Sequence, residues 1–284
     1  MDRRITLKSK TLFLAGRRVK EGDSASQFYA VDSELKEVKL TDYKDSIKII
    51  TSFLSLDTPT CNLQVKEFNK RASKLAEDIV VIGISQDLPF AQKRFCEANK
   101  IEKVITLSDY KTNSFGINYG LLIKELRLLA RAVIIVDKNN VIRYVSIVQE
   151  ASDEPDYQSA LKALKDVIEK PFLKGSQERP SHCLPCEAGT PPLKEGRIEQ
   201  LMATVEGWEL IEGKKIKKTF KFKDFIEAKY FLDIISVIAE EQGHHPNITI
   251  IYNKVTITLT THAIGGLSDN DFIMAQIIDE IGGA

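Results

Sequence analysis

Residues Ser46 to Ser85, SIKIITSFLSLDTPTCNLQVKEFNKRASKLAEDIVVIGIS, set the architecture of the first half of the chain. Two runs rich in β-branched residues, Ser46 to Phe53 and Ile79 to Ile84, enclose Gln64 to Leu75, whose apolar side chains recur at helical spacing. Such alternation predicts helices packed on a central sheet. The pattern continues outward. Pro89 to Ala98 reads as a second helix, Ala132 to Asp137 and Val141 to Val148 as strands, and Tyr157 to Ile168 as a closing helix. The region is α/β.

The chain has 284 residues, long for one core when domains run to roughly 100–200 residues. Hydrophobic residues at 43% and charged residues at 28% exclude a disordered or fibrous chain. Forty basic residues balance forty acidic ones, so no global field favours nucleic acid or anionic membranes, and neither is expected as a partner. No run approaches the ~20 apolar residues of a membrane span. The apolar patch Leu12 to Ala15 is too short for a signal segment and charge resumes at Arg17, which reads as a cytoplasmic protein. Four cysteines are too few for a disulfide scaffold, so those that matter should matter chemically.

Periodicity vanishes from Phe172 to Pro192, where Pro, Gly, Ser and Cys accumulate; a linker is placed there. Beyond it come a short helix at Ile198 to Thr204, strands at Trp208 to Leu210 and Ile216 to Phe222, and a helix from Asp224 to Glu241. Strands Ile248 to Tyr252 and Lys254 to Thr261 precede a last helix starting near Ser268. That order predicts an α+β domain with an antiparallel sheet. The lysines between Lys214 and Lys223 alternate with Phe220 and Phe222, as on a half-buried strand whose outer face is kept soluble, and carry no assigned function.

Cys61 follows the first strand and opens the helix through Val65, Phe68 and Leu75. A sulfur there meets the positive end of the helix dipole and unpaired N–H groups, a setting for a nucleophile. Thr58 is placed to hydrogen-bond that sulfur, and Pro59 fixes the turn. Arg131 sits inside the apolar run Leu128 to Val136, where a guanidinium needs an anionic partner: the Cys61 sulfur, or a carboxylate in an ordinary ion pair. The strings Ser55-Leu56-Asp57-Thr58-Pro59-Thr60-Cys61, Gln86-Asp87-Leu88-Pro89-Phe90-Ala91-Gln92-Lys93-Arg94-Phe95-Cys96 and Leu129-Ala130-Arg131-Ala132-Val133 resemble the thiol peroxidase branch of the peroxiredoxins, over about residues 5 to 168. The resemblance implies a thioredoxin-like domain over 1–171 that reduces hydroperoxides. Cys61 is then the peroxidatic cysteine, Cys96 the resolving one, and Thr58 and Arg131 hold the peroxide. One departure stands out: Leu54 occupies the place where that family usually has a proline, which implies a less rigid loop and slower chemistry.

Of four histidines, His244, His245 and His262 fall within nineteen residues. Imidazoles there serve a metal site, a helix cap or acid–base catalysis; adjacent histidines rarely converge on one ion, so no metal is assigned. Glu240-Glu241-Gln242-Gly243-His244-His245-Pro246, Tyr252-Asn253-Lys254-Val255 and the segment Thr261 to Asp271 resemble the pterin-4a-carbinolamine dehydratases, over about residues 183 to 282. The resemblance implies a dehydratase domain over 193–284 that removes water from a 4a-hydroxytetrahydropterin and needs no cofactor. His244 and His262 are the implied acid–base pair and His245 binds substrate; Glu240, one helical turn before His244, and Asp271 either orient imidazoles or are solvated surface carboxylates. Cys183-Leu184-Pro185-Cys186, within the 172–192 linker, reads as a segment without chemistry.

Together the resemblances imply a bifunctional enzyme served by a thioredoxin-like reductant and assembled as a homo-oligomer, a dimer or tetramer. The alternative is a peroxide-sensing redox protein whose C-terminal domain serves oligomerisation or partner binding. A shared chain also implies coupling of pterin recycling to removal of the peroxide that an uncoupled hydroxylase releases.

Overall fold

The computed structural model describes residues 3–169, 183–184 and 191–282. The chain forms two compact units, residues 2–176 and 177–284. Most of the 172–192 linker, Cys186 included, lies outside the described residues.

The first unit begins with β1 (Arg4–Leu7) and β2 (Lys10–Ala15), then β3 (Tyr29–Val31) and β4 (Glu37–Lys39). Its centre follows as β5 (Ile47–Ser52), α1 (Pro59–Ala72), β6 (Ile79–Ser85), α2 (Pro89–Asn99) and β7 (Val104–Ser108). The unit closes with α3 (Ser114–Asn118), β8 (Leu122–Ile123), β9 (Ala132–Val136), β10 (Ile142–Ile147) and α4 (Tyr157–Glu169). A seven-stranded sheet runs β10-β9-β5-β6-β7-β3-β4. Strands β5, β6 and β7 are parallel to one another, while β9 joins β5 antiparallel. Every residue of β5 and β9 is buried, which is why both read as runs rich in β-branched residues rather than as a polar–apolar alternation. α1 packs against β6 and β7, α2 against β7, and α4 against β9 and β10. A small sheet, β1-β2-β8, lies beside this core.

Seven elements here escape the sequence reading: the strands of the β1–β2 and β3–β4 hairpins, β7, α3 and β8. The β1–β2 turn shows why. Lys8 and Ser9 take φ of 50° and 66°, the primed-turn geometry that hairpins prefer, with none of the glycine or asparagine that usually signals it.

The second unit contains α5 (Glu195–Met202), β11 (Glu209–Ile211), β12 (Lys215–Lys221), α6 (Phe225–Gln242), β13 (Asn247–Ile251), β14 (Lys254–Leu259) and α7 (Asp269–Gly282). Its sheet runs β11-β12-β14-β13, antiparallel throughout. On β12, Ile216 and Phe220 are buried while Lys215 and Lys221 are exposed, the amphipathic strand expected of the lysine run. α6 and α7 pack on β14. Asp224 caps α6, its Oδ1 accepting from Glu227 N at 2.9 Å. Gly243 ends the helix at φ 62°, a left-handed turn that glycine adopts at little cost. Among the described residues, no helix is long and apolar enough to cross a membrane.

Candidate functional sites

The first site forms where α1 begins. Pro59 occupies the first turn of α1, where its missing N–H costs nothing. Cys61, two residues on, is fully buried. Arg131 enters from the residue before β9 and is 1% exposed. Its Nη2 lies 3.4 Å from Cys61 Sγ and donates to the Ala151 carbonyl at 2.9 Å. Its Nη1 donates to Gln64 Oε1. The Nε of Arg131 is buried and has no hydrogen-bond partner, so one strong donor of the fork is unspent.

Gln64 escapes the sequence reading. It lies one turn beyond Cys61 on the same face of α1, fully buried, and its amide donates to Thr51 Oγ1 at 2.5 Å and to the Ser52 carbonyl at 3.2 Å. With its nitrogen fixed on β5, its oxygen is turned to the guanidinium. Thr58 does not spend its proton on the sulfur: its hydroxyl donates to the Ser55 carbonyl at 3.0 Å, leaving the oxygen's lone pairs for an incoming donor. Leu54 is buried and keeps an apolar wall where a proline was expected.

Cys96 sits on α2, half-buried, with Sγ 3.5 Å from Thr106 Oγ1. Burial pushes its thiol pKa up, the Thr106 contact partly offsets this, and nearby Glu97 adds to the rise. Both Cys61 and Cys96 are free thiols. In the sheet, Thr51 pairs with Gly83 and Gly83 with Thr106, so the side chains beneath Gln64 and beneath Cys96 share one face. They stand about 10 Å apart, two strand spacings.

The second site surrounds Asp271, in the first turn of α7 and fully buried. Its Oδ1 is 2.8 Å from His244 Nε2. Its Oδ2 accepts from Thr261 Oγ1 at 2.8 Å, Ser268 N at 2.8 Å and Ser268 Oγ at 3.4 Å. With those donors fixing the carboxylate as acceptor, Nε2 carries the proton of a neutral His244 imidazole and Nδ1 is left as its acceptor. His244 itself is 9% exposed.

Glu240 does not serve His244, although it lies four residues before it. Its Oε2 is 3.0 Å from His245 Nε2, and both groups are exposed. The left-handed turn at Gly243 breaks the helical spacing and carries His245 over Glu240 instead. His262 opens a 3-10 turn, His262–Ile264, and is exposed. It follows directly on Thr261, whose hydroxyl holds Asp271. Thr261 and Ser268 are further residues of this site that spacing alone did not single out.

Cys183 is buried against the same unit, its N–H donating to Gln242 Oε1 at 2.8 Å and its Sγ 3.7 Å from the Asn270 carbonyl. Among the described residues, no cluster of His, Cys, Asp and Glu is arranged to hold a metal ion.

Comparison with known proteins places both halves. Residues 20–161 match the Redoxin family model, and residues 191–281 match the model of pterin 4 alpha carbinolamine dehydratase. A thiol peroxidase of Staphylococcus saprophyticus is 48% identical over 163 residues, covering 57% of this chain and 98% of that protein. A thiol peroxidase of Staphylococcus aureus is 46% identical over 163 residues, with the same coverage of 57% and 98%. The crystal structure of a peroxiredoxin-like protein from Aquifex aeolicus superposes with a TM-score of 0.55 at 37% identity, over 58% of this chain and 97% of that one. The fold of the first unit is thus thioredoxin-like, and a dehydratase-like α+β unit follows it. The chain belongs to the redoxin family, among the thiol peroxidases, and carries a pterin 4 alpha carbinolamine dehydratase domain behind its peroxidase domain.

Proposed function

We propose that one chain carries out two reactions at separate sites, peroxide reduction at Cys61 within residues 1–171 and pterin dehydration at the histidines within 193–284, joined by the 172–192 linker. The observation that carries the first is the guanidinium of Arg131, 3.4 Å from Cys61 Sγ with both residues shut off from water. A guanidinium in contact with the sulfur offsets negative charge that develops there. The unspent Nε–H is a donor for a peroxide oxygen, and the lone pairs of Thr58 Oγ1 accept the proton of the substrate's O–OH. That arrangement aligns the O–O bond with the sulfur and offsets charge on the leaving oxygen.

In the first step Cys61 thiolate attacks the distal oxygen; the O–O bond breaks, Cys61 becomes a sulfenic acid, and the alcohol or water leaves with one added proton. In the second, the Cys96 sulfur displaces hydroxide from that sulfenic sulfur, giving a disulfide and water. A disulfide needs Cα atoms within about 7 Å, so part of α1 or α2 unwinds in each cycle. A dithiol of the thioredoxin type then returns both thiols. The raised thiol pKa of Cys96 fits a resolving group that stays protonated until it moves towards water.

At the second site the 4a-hydroxyl of a hydroxytetrahydropterin leaves as water while N5 gives up a proton, yielding the quinonoid dihydropterin. His244, fixed by Asp271, and His262 are the acid–base pair, and His245 contacts the substrate, its Glu240 partner relaying protons to solvent. The reaction draws on no resident cofactor. The chain assembles as a homo-oligomer, in keeping with the exposed apolar Phe90 on the first unit and Ile251 and Tyr252 on the second.

Both activities measured on one preparation test this reading. Stopped-flow peroxide consumption should vanish in Cys61→Ser while dehydration stays within about twofold, and His244→Ala should do the reverse, each by about 100-fold or more. Loss of both activities in either variant would refute two independent sites.

A further inference from the structure

Asp87, half-buried in the turn between β6 and α2, ties together two parts of the molecule that carry the two cysteines. Its Oδ1 accepts from Ser55 Oγ at 2.7 Å, and its Oδ2 accepts from Leu56 N at 2.8 Å and Ser85 Oγ at 2.9 Å. Its carbonyl accepts from Ser108 Oγ at 2.5 Å, at the end of β7. On one side, Ser55 is the residue whose carbonyl takes both the N–H and the O–H of Thr58, each at 3.0 Å. Thr58 in turn caps the helix of Cys61. On the other side, Ser85 Oγ accepts from Gln92 Nε2 at 3.0 Å, and Gln92 lies on α2 one turn before Cys96. The Oε1 of Gln92 is buried with no hydrogen-bond partner, an open acceptor beside that path. A continuous set of hydrogen bonds therefore runs from the turn before Cys61, through one carboxylate, to the helix of Cys96.

We propose that Asp87 is a positioning residue that holds the Ser55–Thr58 turn in its peroxide-reactive form, and that its grip on Ser55 and Leu56 is released when Cys96 bonds to Cys61. The proposal rests on the peroxidase reading with Cys96 as resolving cysteine. It separates the two chemical steps. Thiolate, hydroperoxide and one proton give sulfenic acid and alcohol, which needs the turn held still. Sulfenic acid and the Cys96 thiol then give disulfide and water, which needs the turn to yield. A carboxylate accepting two N–H or O–H bonds from the loop stabilises the first arrangement and resists the second.

The test uses the full chain, rapid mixing with hydrogen peroxide, and acid quench followed by mass spectrometry that counts Cys61 sulfenic acid and the Cys61–Cys96 disulfide separately. Asp87→Ala should slow sulfenic acid formation about tenfold, while its conversion to disulfide proceeds at the parent rate or faster. Asp87→Asn keeps an acceptor for Leu56 N and an amide for Ser55 Oγ, and should restore the first step to within about threefold of the parent. A folded Asp87→Ala chain with the parent rate of sulfenic acid formation overturns the proposal, and so does equal slowing of both steps, the mark of a merely structural role. If Asp87→Ala does not fold, Ser55→Ala removes one arm of the grip and carries the same expectation and the same refutation. A parent chain that consumes no peroxide, or forms no Cys61–Cys96 disulfide, refutes the underlying reading and the proposal with it.

Discussion

The two sites are built around opposite charges. In the first, a buried cation, Arg131, touches the Cys61 sulfur directly and is itself held by two neutral oxygens, those of Gln64 and Ala151. In the second, a buried carboxylate, Asp271, lies against the imidazole of His244. It orients that imidazole and is itself held by Thr261 and Ser268. The cation contributes through the charge it presents to a dry pocket, where electrostatic interactions are strong. The anion contributes through the tautomer and orientation it imposes on its partner. The first site should therefore respond steeply to loss of its hub, and the second more mildly, with a change in proton chemistry as its signature.

The largest expected effect follows from Arg131→Met, which keeps much of the side chain's volume and removes its charge. Peroxide consumption should fall by about 100-fold or more. Gln64 Oε1 and the Ala151 carbonyl lose their donor, each at a cost of about 1–3 kcal/mol, so thermal unfolding should shift down as well. A rate within tenfold of the parent would show that the guanidinium does not act on the sulfur, and the contrast drawn above would collapse. Next in size is Asp271→Asn. The amide keeps the volume, and its oxygen can still receive Thr261 and Ser268, which turns its NH₂ towards His244 Nε2. The imidazole must then hold its proton on Nδ1, the nitrogen not bonded to residue 271. Dehydration should fall by about tenfold or more, with an altered pH profile and peroxide reduction untouched. An unchanged pH profile would mean that Asp271 only braces α7.

How much of this could be read from sequence depended on whether the deciding contact is local. β5, β6 and β9 stand out because strands buried over most of both faces are rich in β-branched residues, whereas β10 is mostly half-buried. Arg131 stands out because a guanidinium in an apolar run has to be explained. Gln64 does not, since a glutamine on an amphipathic helix reads as a solvent-facing residue; only its place one turn beyond Cys61 hinted otherwise. Asp87 and Ser55 are 32 positions apart, and nothing in either segment announces the other. Glu240 shows the limit of spacing. Four-residue spacing pairs it with His244 on an ideal helix, yet the helix stops at Gln242 and the glycine turn delivers His245 instead. Helical spacing holds only as far as the helix does.

The smallest expected effect probes how far the support for Arg131 extends. Ala151, whose carbonyl anchors the guanidinium, lies in a loop tied to the N-terminal hairpin: its N–H donates to the Thr6 carbonyl at 2.7 Å. The adjacent Glu150 receives Ser152 Oγ at 2.5 Å, Lys8 N at 3.0 Å and Thr6 Oγ1 at 2.7 Å. Those bonds, the Ser152 hydroxyl foremost, then Thr6 and the Lys8 N–H, lower its carboxyl from the ordinary 4.5 to about 2. A depressed pKa stabilises the folded state above the unfolded value, and that contribution is lost as pH falls from about 4.5 towards 2. Glu150→Gln should therefore unfold at lower temperature than the parent at neutral pH, with the gap closing below about pH 4. A gap undiminished at about pH 2 would assign the loss to packing rather than charge. Because Glu150 acts on Arg131 only through Ala151, peroxide consumption should fall by no more than about threefold, against the hundredfold of Arg131→Met. A loss approaching that larger figure would mean that the hairpin, as much as the guanidinium, shapes the sulfur's surroundings.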